Sequence, residues 1–145
     1  MIAGSCLCGK VKYQIEGKIY LMNHCHCSRC RKSHGAVFGS FLHASLKGFK
    51  WISGQIQIKT YQPSNQDARC FCLECGSNVP VIDGDDVIIP AGTLDTDPII
   101  KPIVHIFTQS KAPWFEITDS LPQFEEYAPD EWINNALQNK IITDN

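Results

Sequence analysis

The sequence predicts a mainly β fold of antiparallel sheets with one short C-terminal helix. Three features predict it: segments in which apolar and polar residues alternate, glycines spaced to suit turns, and no helical period of useful length before residue 128. VKYQI at 11–15 and IQIKTY at 56–61 alternate as half-buried strands do, and VIIPA at 87–91 is rich in β-branched residues. Gly17, Gly48, Gly54, Gly76, Gly84 and Gly92 punctuate these runs, with DGDD at 83–86 the clearest turn. Near the end, Pro129 and Asp130 offer a helix start. Trp132, Ile133, Ala136 and Leu137 then share one face, which suits packing on a sheet.

At 145 residues the chain suits one domain, long enough to bury a core without staples. It shows no internal repeat beyond a recurring CxC, no low-complexity tract and no linker. The formal net charge of −2 argues against a generic nucleic-acid or membrane-surface binder, since such proteins are usually basic. No apolar run reaches signal-peptide or membrane-span length, so the expectation is a cytoplasmic protein with neither nucleic acid nor membrane as partner. Oligomeric state leaves no mark in the sequence.

Eight cysteines in a reducing compartment need a reason other than disulfides, and metal binding supplies one. Cys6 and Cys8 form one CxC, Cys25 and Cys27 a second with Cys30 close behind, and Cys70, Cys72 and Cys75 complete the set. Disulfides seldom use such tight pairs, whereas tetrahedral zinc does. In Cys72-Leu73-Glu74-Cys75-Gly76 the glycine lets the chain turn back so that backbone amides point at the sulfurs. This half-site needs two more thiolates, from Cys6 and Cys8 or from the central cluster. The Cys6 and Cys8 pairing gives a complete four-thiolate site, closed and therefore structural.

Cys25, Cys27 and Cys30 are then three sulfurs without an obligatory fourth. Three protein ligands and an open position mark a catalytic zinc, but Cys70, His24, His26 or His34 can close a second structural site instead. Cys70 is the best of these by position, and a strand would put it on the same face as Cys72.

The runs GSCLCGKVKY, HCHCSRCRKSHGA, RCFCLECGS, HIFTQSKAPWFEI and LPQFEEYAPD resemble the family of glutathione-dependent formaldehyde-activating enzymes and centromere protein V. The resemblance implies a tent-like arrangement of antiparallel sheets around zinc over residues 2–130, with residues 130–145 as helix and tail of the same domain. It implies two zinc ions per chain: a structural one on Cys6, Cys8, Cys72 and Cys75, and a catalytic one on Cys25, Cys27 and Cys30. The implied function is a zinc-dependent carbon–sulfur lyase of the S-(hydroxymethyl)glutathione synthase type, with a small thiol such as glutathione and its aldehyde adduct as partners. The alternative is a non-enzymatic, zinc-stabilised interaction module. Cys70 has no counterpart in the family's ligand pattern.

Around the second site, Arg29, Arg31 and Lys32 are candidates to hold a carboxylate, against the plainer role of solvated charges. His34 and His105 are candidate proton carriers, and Trp51, Trp114 and Phe115 candidate pocket walls, against ordinary structural roles for all five. Protein purified under reducing conditions is expected to carry about two zinc ions per chain by metal analysis. Folded, metal-free protein with its cysteines in disulfides contradicts this.

Overall fold

The computed structural model describes residues 1–138, so the predicted tail beyond Gln138 lies outside the described residues. In chain order the elements are β1 (Ile2–Ser5), β2 (Lys12–Ile15), β3 (Ile19–Cys25), α1 (Ser28–His34), β4 (Gly39–Ser45), β5 (Phe49–Ser53) and β6 (Ile58–Tyr61). There follow β7 (Arg69–Cys72), β8 (Asn78–Val79), β9 (Val81–Asp83), β10 (Asp86–Pro90), β11 (His105–Ile106) and α2 (Asp130–Gln138). They form three sheets. Two compact units share them, one of Met1–Ile19 with Leu42–Pro98, the other of Tyr20–Phe41 with the chain from Ile99 onward.

In the first unit, β2 lies between β1 and β5, antiparallel to both. Its alternation puts Tyr13 and Ile15 inward, and both are buried. Tyr13 packs on Phe49 and Trp51, and its hydroxyl meets Thr93 Oγ1 at 2.6 Å, the partner a buried phenol needs. A second sheet runs β6-β7-β8, with Ile58 opposite Cys72 and Cys70 opposite Val79. β9 and β10 make the hairpin expected at DGDD, where Val87 and Ile89 fill the core. The predicted strand at 56–61 begins two residues late, because Gln55–Gln57 coil into a 3-10 turn before Ile58.

In the second unit, β11 pairs with β3 in parallel, setting His105 beside His24 and Ile106 beside Cys25. This short pair departs from the antiparallel rule of the other described ladders. Main-chain bonds from His24 to Val104 and from His26 to Ile106, each 3.0 Å, extend it. α2 starts at Asp130 as predicted and turns Trp132 onto Phe124, with ring centroids 5.4 Å apart. α1 is a helix that periodicity did not foresee. It is seven residues long with only Cys30 buried, too short to show an apolar stripe.

At Gly48 the backbone of Gly17 passes so close that an added Cβ would lie 2.1 Å from its Cα and N. Backbone cannot give way as a side chain can. Gly48→Ala is therefore expected to lower stability by about 1–3 kcal/mol or more in thermal or urea melts. Gly92→Ala, where an added Cβ meets no heavy atom within 4 Å, serves as the control.

Candidate functional site

Two groups of thiols form, one in each unit. In the first unit, Cys6 and Cys8 sit in the β1–β2 turn, and Cys72 and Cys75 at the β7–β8 turn. The four sulfurs lie within 4.8 Å of one another. The turns are built alike: Gly9 and Gly76 donate back to the carbonyls of Cys6 and Cys72 at 2.9 and 2.8 Å, each with φ near +70°, where glycine alone is at ease (73° and 72°). Val11 N–H points at Cys6 Sγ at 3.3 Å, as expected of an amide steadying a thiolate. Leu7 N–H donates to Ser77 Oγ at 3.0 Å, and Lys10 pairs with Glu74 at 2.9 Å, so the turns are also tied directly. The amide of Ser77 heads the causes that lower the Cys75 thiol to about 6.

The donor set fits a metal ion. Four sulfurs at the usual zinc–sulfur length stand about 3.8 Å apart in a tetrahedron. Cys6 to Cys8 is 3.5 Å and Cys8 to Cys72 is 3.9 Å, too long for disulfides and close to that spacing.

The second group is Cys25 at the end of β3, Cys27 just beyond it and Cys30 in the first turn of α1. Cys27 is also the helix cap: its Sγ accepts from Cys30 N–H at 3.3 Å, where serine or aspartate would ordinarily serve. Hydrogen bonds from the Cys25 and Cys30 thiols, then from the Cys30 and Arg29 amides, push the Cys27 thiol strongly down. Hydrogen bonds with the Cys27 and then the Cys30 thiol push Cys25 up. Three thiols this close together form a donor set suited to a soft cation. Among the described residues no fourth cysteine, histidine or carboxylate joins them.

The residues flagged as possible fourth ligands go elsewhere. Cys70 belongs to neither thiol group; its Sγ lies 3.4 Å from Thr60 Oγ1. His24 Nδ1 meets Ser40 Oγ at 2.8 Å, and His34 sets its ring edge-on to Phe41. His26 turns to His105, Nε2 to Nδ1 at 2.8 Å, and burial followed by His105 lowers its pKa to about 4. Of the candidate wall residues, Trp51 packs with Phe49, Trp114 is 75% exposed, and Phe115 lies over His26. Arg29, Arg31 and Lys32 all ride on α1 beside Cys30. Phe38 and Asp119 were not foreseen. Phe38 packs on His24 and His26, and Asp119 takes both its oxygens to His105 Nε2 at 3.0 and 3.2 Å.

The profile of the glutathione-dependent formaldehyde-activating enzymes matches residues 1–110. The chain belongs to that family. A Halomonas elongata relative whose name places it in the same family is 31% identical, the alignment covering 92% of each chain. The crystal structure of a Rhodobacter sphaeroides protein is similar in fold, with TM-score 0.54 and 22% identity over 66% of this chain and 91% of that one. Both cysteine groups fall inside the stretch that carries family membership, whereas Asp119 lies past its end.

With Cys70 outside both groups, Cys70→Ser is expected to leave the metal content of purified protein unchanged. Loss of one metal equivalent by elemental analysis would show that Cys70 closes the second group.

Proposed function

We propose that the protein is a zinc-dependent carbon–sulfur lyase of the S-(hydroxymethyl)glutathione synthase type, interconverting formaldehyde and glutathione with their adduct. The observation that carries this reading is the contrast between the two groups: four thiols in one, three in the other with no fourth protein donor among the described residues. A closed set holds a structural metal, and three ligands leave a place for a reactant. Family membership supports glutathione and its hydroxymethyl adduct as that reactant.

Cys6, Cys8, Cys72 and Cys75 would hold the structural ion, and Cys25, Cys27 and Cys30 the catalytic one. Zinc on three thiolates favours a soft sulfur donor and supplies a thiol in its thiolate form. The chain's own residues do the rest. The Cys27 cap joins the cysteine set to α1, so the helix fixes Cys30 relative to Cys25 and Cys27. Arg29, Arg31 and Lys32 on that helix supply cations suited to the carboxylates of glutathione, with either arginine able to bind one bidentately. In the breakdown direction the hydroxyl proton leaves, the carbon–oxygen bond becomes a carbonyl, and the carbon–sulfur electron pair returns to sulfur. Formation runs the same bonds backwards.

The two cysteine sets separate by the damage a lesion does. Cys72→Ser is expected to give insoluble or protease-sensitive protein, since a structural zinc contributes its binding free energy, about 10 kcal/mol or more, to folding. Cys27→Ser should instead give a chain that still melts cooperatively, carries about one zinc and loses roughly a hundredfold or more in S-hydroxymethylglutathione turnover. Circular dichroism, metal analysis and the turnover assay check both variants. Unfolding of Cys27→Ser as severe as that of Cys72→Ser would favour the interaction module over the lyase.

A further inference from the structure

Charge on α1 is one-sided. Ser28–His34 holds Arg29, Arg31 and Lys32 and no acidic residue. Lys32 is exposed, where water serves it, whereas Arg31 is partly buried. Arg31 Nε is covered and has no hydrogen-bond partner among the described residues. A guanidinium carries donors only and keeps its charge at any pH the fold survives, so it can neither become neutral nor accept instead. A covered, charged donor without an acceptor costs free energy until one arrives. The acceptor that suits the planar fork of an arginine is a carboxylate, held by two parallel hydrogen bonds.

The backbone fixes the neighbourhood of this cation. Arg31 follows Cys30 directly, and its N–H donates to the Cys27 carbonyl at 3.0 Å, one helical turn back. Residues one turn apart on a helix have Cβ atoms about 5–6 Å apart, and helical side chains lean towards the N-terminal turn. On α1 that turn holds Cys27 as the cap and Cys30. The arginine thus shares one short, rigid element with two of the three sulfurs. Offsetting the charge of the thiolates is a different role, since it asks only for a nearby cation and leaves the Nε hydrogen unmet.

We propose that Arg31 is the specificity-determining residue of the second site: its guanidinium turns onto the carboxylate of a thiol whose sulfur is held at Cys25, Cys27 and Cys30. The site then selects thiols that carry a carboxylate, glutathione among them, over neutral thiols. That a thiol occupies this site rests on the lyase reading; that α1 carries an unmet cation beside it rests on the structure alone. Because Nε has no partner while Arg31 is at rest, turning onto a carboxylate gains a hydrogen bond at that nitrogen and breaks none there.

The test uses full-length, zinc-loaded protein and isothermal titration calorimetry with glutathione and with N-acetylcysteamine, a neutral thiol. Arg31→Met keeps the length of the side chain and drops its donors. It is expected to bind glutathione roughly tenfold to a hundredfold more weakly and N-acetylcysteamine unchanged, at equal zinc content and with a melting temperature no lower than that of the wild type. Arg31→Lys keeps the charge without the fork and should fall between the two; it carries the same comparison if Arg31→Met fails to fold. With S-hydroxymethylglutathione as substrate the loss should appear in KM, with kcat unchanged. Glutathione esterified on its glycine tells the two carboxylates apart: loss of the Arg31 dependence assigns the glycyl one, its persistence the γ-glutamyl one, and both support the site. Equal weakening for both thiols, no weakening for glutathione, or loss of zinc from Arg31→Met overturns the role assigned to Arg31. Wild-type protein that shows this selectivity in binding but no turnover overturns the lyase reading and leaves the carboxylate site standing, so the two failures are distinguishable.

Discussion

Four thiols gathered round one point can neither all ionise nor sit together as sulfur alone at low cost; a cation among them resolves the conflict. The first unit is arranged around that constraint. Cys6 and Cys72 are buried with Val11 and Val79, while Trp51, Ile58 and Cys70 pack against them. The turn between β1 and β2 and the turn between β7 and β8, more than sixty residues apart in sequence, share their sulfurs and the Leu7–Ser77 hydrogen bond. Closing so long a loop carries an entropic cost that grows only slowly with length, so one strong point of closure serves the whole unit.

The second unit solves a different problem, holding three sulfurs where a strand gives way to a short helix. Cys27 does two jobs: it stands in the cysteine set and caps α1. Because one sulfur serves both, the helix and the thiol geometry form together. The opposite end of α1 carries Arg31, Lys32 and His34, where the helix dipole favours positive charge. His24 and His26, the sequence neighbours of Cys25, join a packed group of rings with Phe38, His105 and Phe115. Buried imidazoles need partners for their nitrogens, and the Asp119–His105–His26 chain with the His24–Ser40 contact engages four of the six ring nitrogens of these three histidines.

Much of this was legible in the sequence, and for local reasons. Strand alternation marked β2 because one face of that strand is buried and the other is not. The CxC and CxxCG spacings marked the thiol turns because their geometry is set within five or six residues, by covalent reach and a left-handed glycine. The start of α2 was visible for the same reason, in Pro129, Asp130 and the spacing of Trp132, Ile133 and Ala136. Local patterns failed where an element is shorter than its own period. α1 has seven residues and one buried side chain, and Gln55–Gln57 interrupt an alternation that reads as continuous strand.

The sequence by itself determined the mainly β class, the two cysteine sets as candidate ligands and the chemistry those donors allow. It did not determine which partners meet. Cys72 and Cys75 had two possible pairs of thiols, and only the pairing of β6, β7 and β8 together with the β1–β2 turn selects Cys6 and Cys8. Cys70 shares a strand with Cys72 and yet stays out of the cluster, bonded instead to Thr60 across the ladder. Asp119 carried no signal at all, because its meaning depends on the parallel pairing of β3 with β11 that puts His105 beside His24 and within reach of His26. Spacing along the chain fixes what a few bonds can reach, whereas contacts across long loops are fixed by which surfaces bury one another, and that is decided by the folded chain as a whole.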